Sequence, residues 1–297
     1  MQPFLTPQNL GSATAGPKPA RLAVLGYPVS HSASPQLHQP ALDVFEIAAS
    51  YVRLEVMPGE IREAFATMKS LGFIGCNVTV PHKFEAMESC DVVSPQARLL
   101  GSVNTVVFEE KETVGYNTDG PGFEQAIVEA FGFLPGEVHS LILGAGGGAG
   151  QAIATQCAIS KPARLTLVNR SVAKIEALAA KLRSISPGTE IITLSFSDPA
   201  LADSCHSADL LIQTTSLGLK ADDPQVITDS CFRSRHCAYD TIYQPPETPF
   251  LAAARRIGCS TDNGLSLLIH QGAIAFRLWF PDTDPLPHMR AAMRKER

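Results

Sequence analysis

Two short strings and a glycine-rich loop hold the residues best suited to chemistry. In Asn77-Val78-Thr79-Val80-Pro81-His82-Lys83, a β-type run stops at a proline and delivers a lysine where a helix starts. Phe73, Ile74, Val78 and Val80 suit a buried strand, and Pro81 can neither donate to a ladder nor continue one. Ligands of open α/β sheets sit beyond the carboxyl ends of strands, so Asn77, Thr79 and Lys83 are candidate ligand groups. A single lysine after a strand is more often a solvated side chain, and Lys83 gains weight only from the other strings. His82 points about 100° away from Lys83 on a helix start and reads as structural. Earlier in the chain, Ser32 and Ser34 stand one residue apart just before Pro35. Ser34 with Pro35 forms a good N-cap and first-turn pair; Ser32 has no such explanation.

The loop Gly144-Ala145-Gly146-Gly147-Gly148-Ala149-Gly150 lies between strand Leu141-Ile142-Leu143 and a helix. This is the dinucleotide fingerprint, with Ala149 in its third small position. Gly144 permits the tight turn, Gly146 lets the backbone approach a pyrophosphate, and the helix N-terminus offers unpaired N–H groups. Strand Leu165 to Val168 follows about twenty residues on, as the motif requires. It ends in Asn169-Arg170-Ser171 rather than in the carboxylate that holds the free ribose hydroxyls of NAD. A carboxylate there repels a 2′-phosphate, whereas Arg170 and Lys174, one helical turn apart, attract it. A cation at a helix N-terminus opposes the dipole unless an anion joins it. The cofactor expected is NADP(H).

The elements that position these residues alternate along the chain. A first strand from Arg21 to Gly26 precedes the serine loop, and a helix follows with Leu37, Ala41, Val44 and Phe45. Strand Tyr51 to Val56 and a helix from Pro58, with Ile61, Phe65, Met68 and Leu71 on one face, lead to the strand before Lys83. Strand, helix, strand, helix, strand implies parallel pairing and a first α/β layer. A short helix from Ser94 to Leu100 precedes the strand after Gly101-Ser102-Val103-Asn104-Thr105. Asn104 is unfavourable there unless its amide has partners. A turn at Glu109 to Glu112 returns the chain to Asn117-Thr118-Asp119-Gly120, where Asp119 can cap the next helix. In the second unit come a helix to Leu182, strands at Ile191 to Leu194, Leu210 to Gln213 and Cys237 to Ile242, a helix through Leu251 and Ile257, and a last helix from Leu265 to Phe280. Residues 1–20, rich in Pro, Gly, Thr and Gln, read as a loose tail.

Composition narrows the partners. The 297 residues are enough for two cores, and a net charge of −5 gives no general attraction to nucleic acid or an anionic membrane. No apolar run approaches the roughly 20 residues of a spanning helix. The seven cysteines are scattered without C-x-x-C spacing, which fits free thiols in a reducing cytoplasm.

Taken together, the strings resemble the shikimate dehydrogenase family from about Arg21 to Phe280. The motifs are Gly26 to Pro35, Asn77 to Lys83, Ser102 to Thr105, Asn117 to Gly120, the Gly144 loop, Asn169 to Ser171, Asp240 to Pro245 and Gln271-Gly272-Ala273. The resemblance implies an α/β chain of two domains: a substrate domain of 21–120 with 264–297, and a Rossmann-type NADP domain of 121–263, the C-terminal helix returning to the first. It implies reversible reduction of 3-dehydroshikimate to shikimate by a cytoplasmic monomer or homodimer, with no metal. Position by position it assigns Lys83 and Asp119 to the catalytic pair and Ser32 and Ser34 to the substrate carboxylate. Thr79, Asn104 and Gln271 fall to ring hydroxyls, and Tyr243 to the pocket lining. Gly144, Ala145, Gly146, Gly147 and Gly148 fall to the pyrophosphate, Asn169, Arg170, Ser171 and Lys174 to the adenosine phosphate, and Thr241 and Gly264 to the nicotinamide. Three residues depart from the pattern: Gln213 where the family often has Asn, Ser266 where it often has Gly, and Lys174 where Arg is frequent. An NAD-using quinate/shikimate dehydrogenase shares this pocket and differs at the adenosine end. A non-catalytic NADP-binding sensor has no need of Lys83 and Asp119 together.

Overall fold

The structure is a computed structural model that describes residues 5–220 and 222–295. It divides into two compact units, Met1–Thr118 with Ile269–Arg297, and Asp119–Leu268.

In the first unit, β1 (Ala20–Gly26) leads to α1 (Ser34–Val44), β2 (Ser50–Glu55), α2 (Ile61–Ser70), β3 (Gly75–Val78) and α3 (Lys83–Ser89). Then come β4 (Val92–Val93), α4 (Pro95–Leu100), β5 (Thr105–Phe108) and β6 (Thr113–Tyr116). The strands form one six-stranded sheet in the order β2-β1-β3-β5-β6-β4. β1 runs parallel to β2 and β3, as the intervening helices require, while β5 pairs antiparallel with β3 and β6. Leu25, Leu54, Phe65, Met68, Phe73, Val78 and Val106 are buried together. The stretch expected to be a loose tail is packed where it is described. Leu5 bridges to Leu54, and Leu10, in a short 3-10 turn, is fully buried in that core. Two apolar side chains in an otherwise polar stretch are enough to dock it; residues 1–4 lie outside the described residues.

The second unit runs through α5 (Asp119–Phe131), β7 (Ser140–Leu143), α6 (Gly148–Ile159), β8 (Arg164–Asn169), α7 (Val172–Ile185) and β9 (Glu190–Ser195). It continues with α8 (Leu201–Ser207), β10 (Leu210–Gln213), β11 (Cys237–Asp240), α9 (Pro249–Ile257), β12 (Ser260–Asn263) and the start of α10 (Leu265–Trp279). Its six strands are all parallel, in the order β12-β11-β10-β7-β8-β9, so the strand order reverses between β7 and β10. That reversal is the switch point at which doubly wound sheets bind ligands. Both sheet faces are covered: Ile142 of β7 joins Phe123, Ile153 and Leu178 on one side, while Leu141 and Leu143 join Leu211, Phe232 and Phe250 on the other. Alternate residues of one strand feeding two cores explain why the strand reads as a continuous apolar run.

Residues 269–279 of α10 and α11 (Leu286–Lys295) belong to the first unit. There Trp279 Nε1 donates to the Val106 carbonyl at 3.0 Å, and α11 packs on α1 with Met289 fully buried. β4, α8, β12 and α11 are among the elements that go beyond the sequence reading. All seven cysteines are free thiols, and Cys76, Cys157, Cys205, Cys231 and Cys259 are buried.

Candidate active site

In the first unit the serine loop joins the end of β1 to α1. The Ser32 hydroxyl donates to Ser34 Oγ at 3.1 Å, and the Ser34 N–H donates back to Ser32 Oγ at 3.3 Å. Ser34 is not the N-cap that its place before Pro35 suggests. The helix already includes Ser34, Ala33 holds the cap position, and no side chain caps the helix. Because Ser32 Oγ accepts the Ser34 N–H, the Ser34 hydroxyl has no capping duty and remains a candidate for a ligand.

A buried polar chain runs beside it. The Tyr51 hydroxyl donates to Asn77 Oδ1 at 2.7 Å, and Asn77 Nδ2 donates to Thr105 Oγ1 at 3.0 Å and the Asn104 carbonyl at 3.3 Å. Asn77, offered by its strand-end position as a ligand group, thus has its amide engaged within the protein. Asn104 Oδ1 accepts from the Thr118 N–H at 2.8 Å and from Thr105 Oγ1 at 3.0 Å, while its Nδ2 donates to Thr118 Oγ1 at 3.1 Å. The Thr118 hydroxyl reaches Gln271 Oε1 of α10 at 3.4 Å. Asn104 and Gln271, 167 residues apart in the numbering, therefore share one partner, and the partners that Asn104 needs are present.

Lys83 is the first residue of α3, half-buried, with its carbonyl accepting from the Val103 N–H at 3.0 Å. His82, 1 % exposed, fixes this helix start through Nε2 to the Val56 carbonyl at 2.8 Å, which is a structural role. Thr79 lies between β3 and Lys83, with its N–H on the Leu25 carbonyl at 2.8 Å and its methyl against Gly26, where a Cβ would come within 2.6 Å. Asp119 opens α5, one residue beyond Thr118 and already in the second unit.

In the second unit, Gly144 ends β7 with φ +90°, a conformation that favours glycine, and its N–H donates to the Val168 carbonyl at 2.8 Å. A Cβ on Gly146 would meet the Asn169 amide at 2.7 Å, whereas one on Gly148 would meet nothing within 4 Å. Ala145 is buried under the turn, and Gly147 and Gly148 are exposed at the start of α6. The fingerprint needs one correction. Ala149 is exposed, and it is Gly150 that packs helix against turn, since a Cβ there would lie 2.4 Å from the Gly144 carbonyl oxygen.

Asn169 closes β8 and donates to the Ser171 carbonyl at 2.9 Å, and Ser171 holds the cap position of α7. The side chains of Arg170 and Lys174 are exposed and make no ion pair or hydrogen bond among the described residues. The helix dipole disfavours two cations at this N-terminus and would favour an anion beside them. Thr241 and Gly264 are brought together: a Cβ on Gly264 would lie 2.0 Å from the Thr241 carbonyl oxygen. Tyr243 is half-buried in the segment after β11, and burial pushes its hydroxyl pKa up.

The departures have structural partners. Gln213 is fully buried and organises the chain beyond β10, accepting from the Thr215 N–H and donating to the Leu217 carbonyl at 2.8 Å. The Ser266 hydroxyl donates to Asp262 at 2.6 Å and meets the Tyr239 hydroxyl at 3.2 Å. Asp240 accepts from Thr248 Oγ1 at 2.6 Å and the Ile242 N–H at 2.9 Å, yet burial prevails and pushes its carboxyl up to about 6.

Residues 24–106 match the shikimate dehydrogenase substrate binding domain, and residues 264–294 the shikimate 5'-dehydrogenase C-terminal domain. A shikimate dehydrogenase (NADP(+)) of Moorella thermoacetica is 39% identical over 276 residues, which is 92% of each chain. The chain belongs to the shikimate dehydrogenase family. Among solved family members, the Thermus thermophilus shikimate 5-dehydrogenase in complex with NADP(H) and shikimate has a TM-score of 0.79 at 34% identity, covering 93% of this chain and 99% of that one. A quinate dehydrogenase of Corynebacterium glutamicum in complex with NAD has a TM-score of 0.84 at 28% identity, covering 92% and 98%. The family thus includes proteins named for either substrate and solved with either cofactor, and the residues at the adenosine end bear on which applies.

Proposed function

We propose that this chain catalyses the reversible NADPH-dependent reduction of 3-dehydroshikimate to shikimate, a step of chorismate and aromatic amino-acid biosynthesis. The observation that carries the cofactor choice is the unmatched pair Arg170 and Lys174 beyond β8, where NAD-binding chains place a carboxylate. The turn at Gly144 and Gly146, with open space at Gly148 and the first turn of α6 behind it, suits a pyrophosphate.

Bound NADPH supplies the hydride that a ketone must receive on carbon. The residues of the chain do the rest. Lys83 as an ammonium gives its proton to the oxygen and stabilises the charge developing there. Asp119 is the carboxylate that the family resemblance assigns to the same step. Ser32 and Ser34 hold the carboxylate. Asn104, Gln271 and Thr79 hold ring hydroxyls; Asn104 is suited to this because Thr118 and Thr105 fix its amide plane. Tyr243 lines the pocket, and Thr241 with Gly264 borders the nicotinamide.

Among the described residues no helix is long and apolar enough to cross a membrane. The reading places the enzyme in the cytoplasm as a monomer or homodimer. Oxidation of shikimate and of quinate, followed by nicotinamide absorbance with NADP+ and with NAD+, tests it. Turnover is expected with shikimate and NADP+, and turnover with quinate and NAD+ alone would contradict it.

A further inference from the structure

Arg53 lies on β2, on the same strand face as Tyr51. Its Nε and Nη2 both donate to the carbonyl oxygen of Ser32, at 2.9 and 2.6 Å, and Nη2 also donates to Gln36 Oε1 at 2.9 Å. A half-buried guanidinium ordinarily pairs with a carboxylate. Here both arms rest on neutral oxygens, and no acidic side chain among the described residues forms an ion pair with it. The charge is therefore left unneutralised directly behind the loop that carries the Ser32 and Ser34 hydroxyls.

The geometry of that loop depends on the same contact. The Ser32 carbonyl is held from below, its hydroxyl is tied to Ser34 Oγ at 3.1 Å, and the Ser34 N–H is tied to Ser32 Oγ at 3.3 Å. Fixing one carbonyl thus fixes the spacing of two hydroxyls. Tyr51 supports Ser34 from the neighbouring position, its hydroxyl lying beside the Ser34 side chain while donating to Asn77.

We propose that Arg53 is the positioning residue of a carboxylate site: through the Ser32 carbonyl it sets the two serine hydroxyls, and its unneutralised charge selects an anionic ligand over an uncharged one of the same shape. This rests on the reading that Ser32 and Ser34 bind the substrate carboxylate. Two hydroxyls alone accept an ester or amide nearly as well as an acid; a cation behind them does not.

The test compares wild type, Arg53→Met, Arg53→Lys and Ser32→Ala with shikimate and with its methyl ester, which keeps the ring hydroxyls and loses the charge. Arg53→Met is expected to raise KM for shikimate roughly tenfold, as for loss of a partly desolvated attraction. The KM for the ester should rise far less, and kcat at saturation and KM for NADP+ should hold. The wild-type KM for shikimate should also rise with ionic strength, and that of Arg53→Met should not. Arg53→Lys, which keeps the charge without the two-armed grip, should fall between the two, and it carries the test if Arg53→Met does not fold. An unchanged shikimate KM in both Arg53 variants, or equal losses for acid and ester, overturns the proposal while Ser32→Ala still shows a raised KM. Unchanged shikimate affinity in Ser32→Ala removes the carboxylate reading itself, and the role of Arg53 with it.

Discussion

Asn104 Oδ1 accepts the backbone N–H of Thr118 at 2.8 Å, so a residue proposed to hold a ring hydroxyl also fixes the chain one residue before Asp119. On the proposed reading, one amide serves both substrate binding and the backbone that leads into the catalytic carboxylate. Asn104→Leu leaves the buried Thr118 N–H without that acceptor, which costs about 1–3 kcal/mol. Denaturant unfolding should show that loss, and steady-state kinetics should show a raised KM for shikimate together with a lowered kcat. A variant with only KM changed would show that Asn104 does not govern Asp119.

Lys83 begins α3 and stands in the unit that does not contain the Gly144 turn. Lys83→Ala is expected to lower kcat by about 10² to 10⁴, the range for loss of a general acid. NADPH affinity, measured by fluorescence titration, should be nearly unchanged. Near-normal turnover would remove Lys83 from the proton-transfer role.

Two buried groups give stability opposite pH dependences. His38 is fully buried, stacks on Tyr51 at 4.6 Å, and burial lowers its pKa from 6.5 to about 3. The unfolded chain binds that proton and the folded chain resists it, so the stability at stake is intact above about 6.5 and is lost as pH falls towards 3, up to about 5 kcal/mol. Asp240 has the reverse sign. With its pKa raised from 3.8 to about 6, its contribution is full below 3.8 and is lost as pH rises through 6, by up to about 3 kcal/mol. Unfolding free energies from pH 4 to 8 should rise more shallowly with pH in His38→Phe, which keeps a flat ring against Tyr51, than in wild type. An identical slope would mean that His38 does not resist protonation.

Much of the fold was legible because its signals are local. The alternation of β1, α1, β2, α2 and β3 and the strand–glycine–helix of β7 and α6 follow from apolar spacing and turn residues. What was missed lacks such signals. α8 buries only Leu201 and Cys205, and β12 is the wholly polar run Ser260–Asn263, extended because it pairs with β11. In the site, residue types were readable and their partners were not. Nothing near Asn77 announces that Tyr51, 26 positions earlier, occupies its oxygen. Nor does anything near Arg53 announce that its partner is the Ser32 carbonyl, a group that every residue has. The choice between Ala149 and Gly150 as the packing residue likewise required the position of the Gly144 carbonyl.

The most direct test of the central claim is kcat/KM for shikimate oxidation with NADP+ and with NAD+, in wild type, Arg170→Ala and Lys174→Ala, at two ionic strengths. A 2′-phosphate carries about −1.5 to −2 charge near neutral pH, and Arg170 can grip two of its oxygens where Lys174 adds only a screened point charge. Wild type is expected to prefer NADP+. Arg170→Ala should lose most of that preference with little change for NAD+. Lys174→Ala should shift the same way by less, and the shift should shrink with salt. A wild type that prefers NAD+, or an Arg170→Ala enzyme equally impaired with both cofactors, would contradict the account.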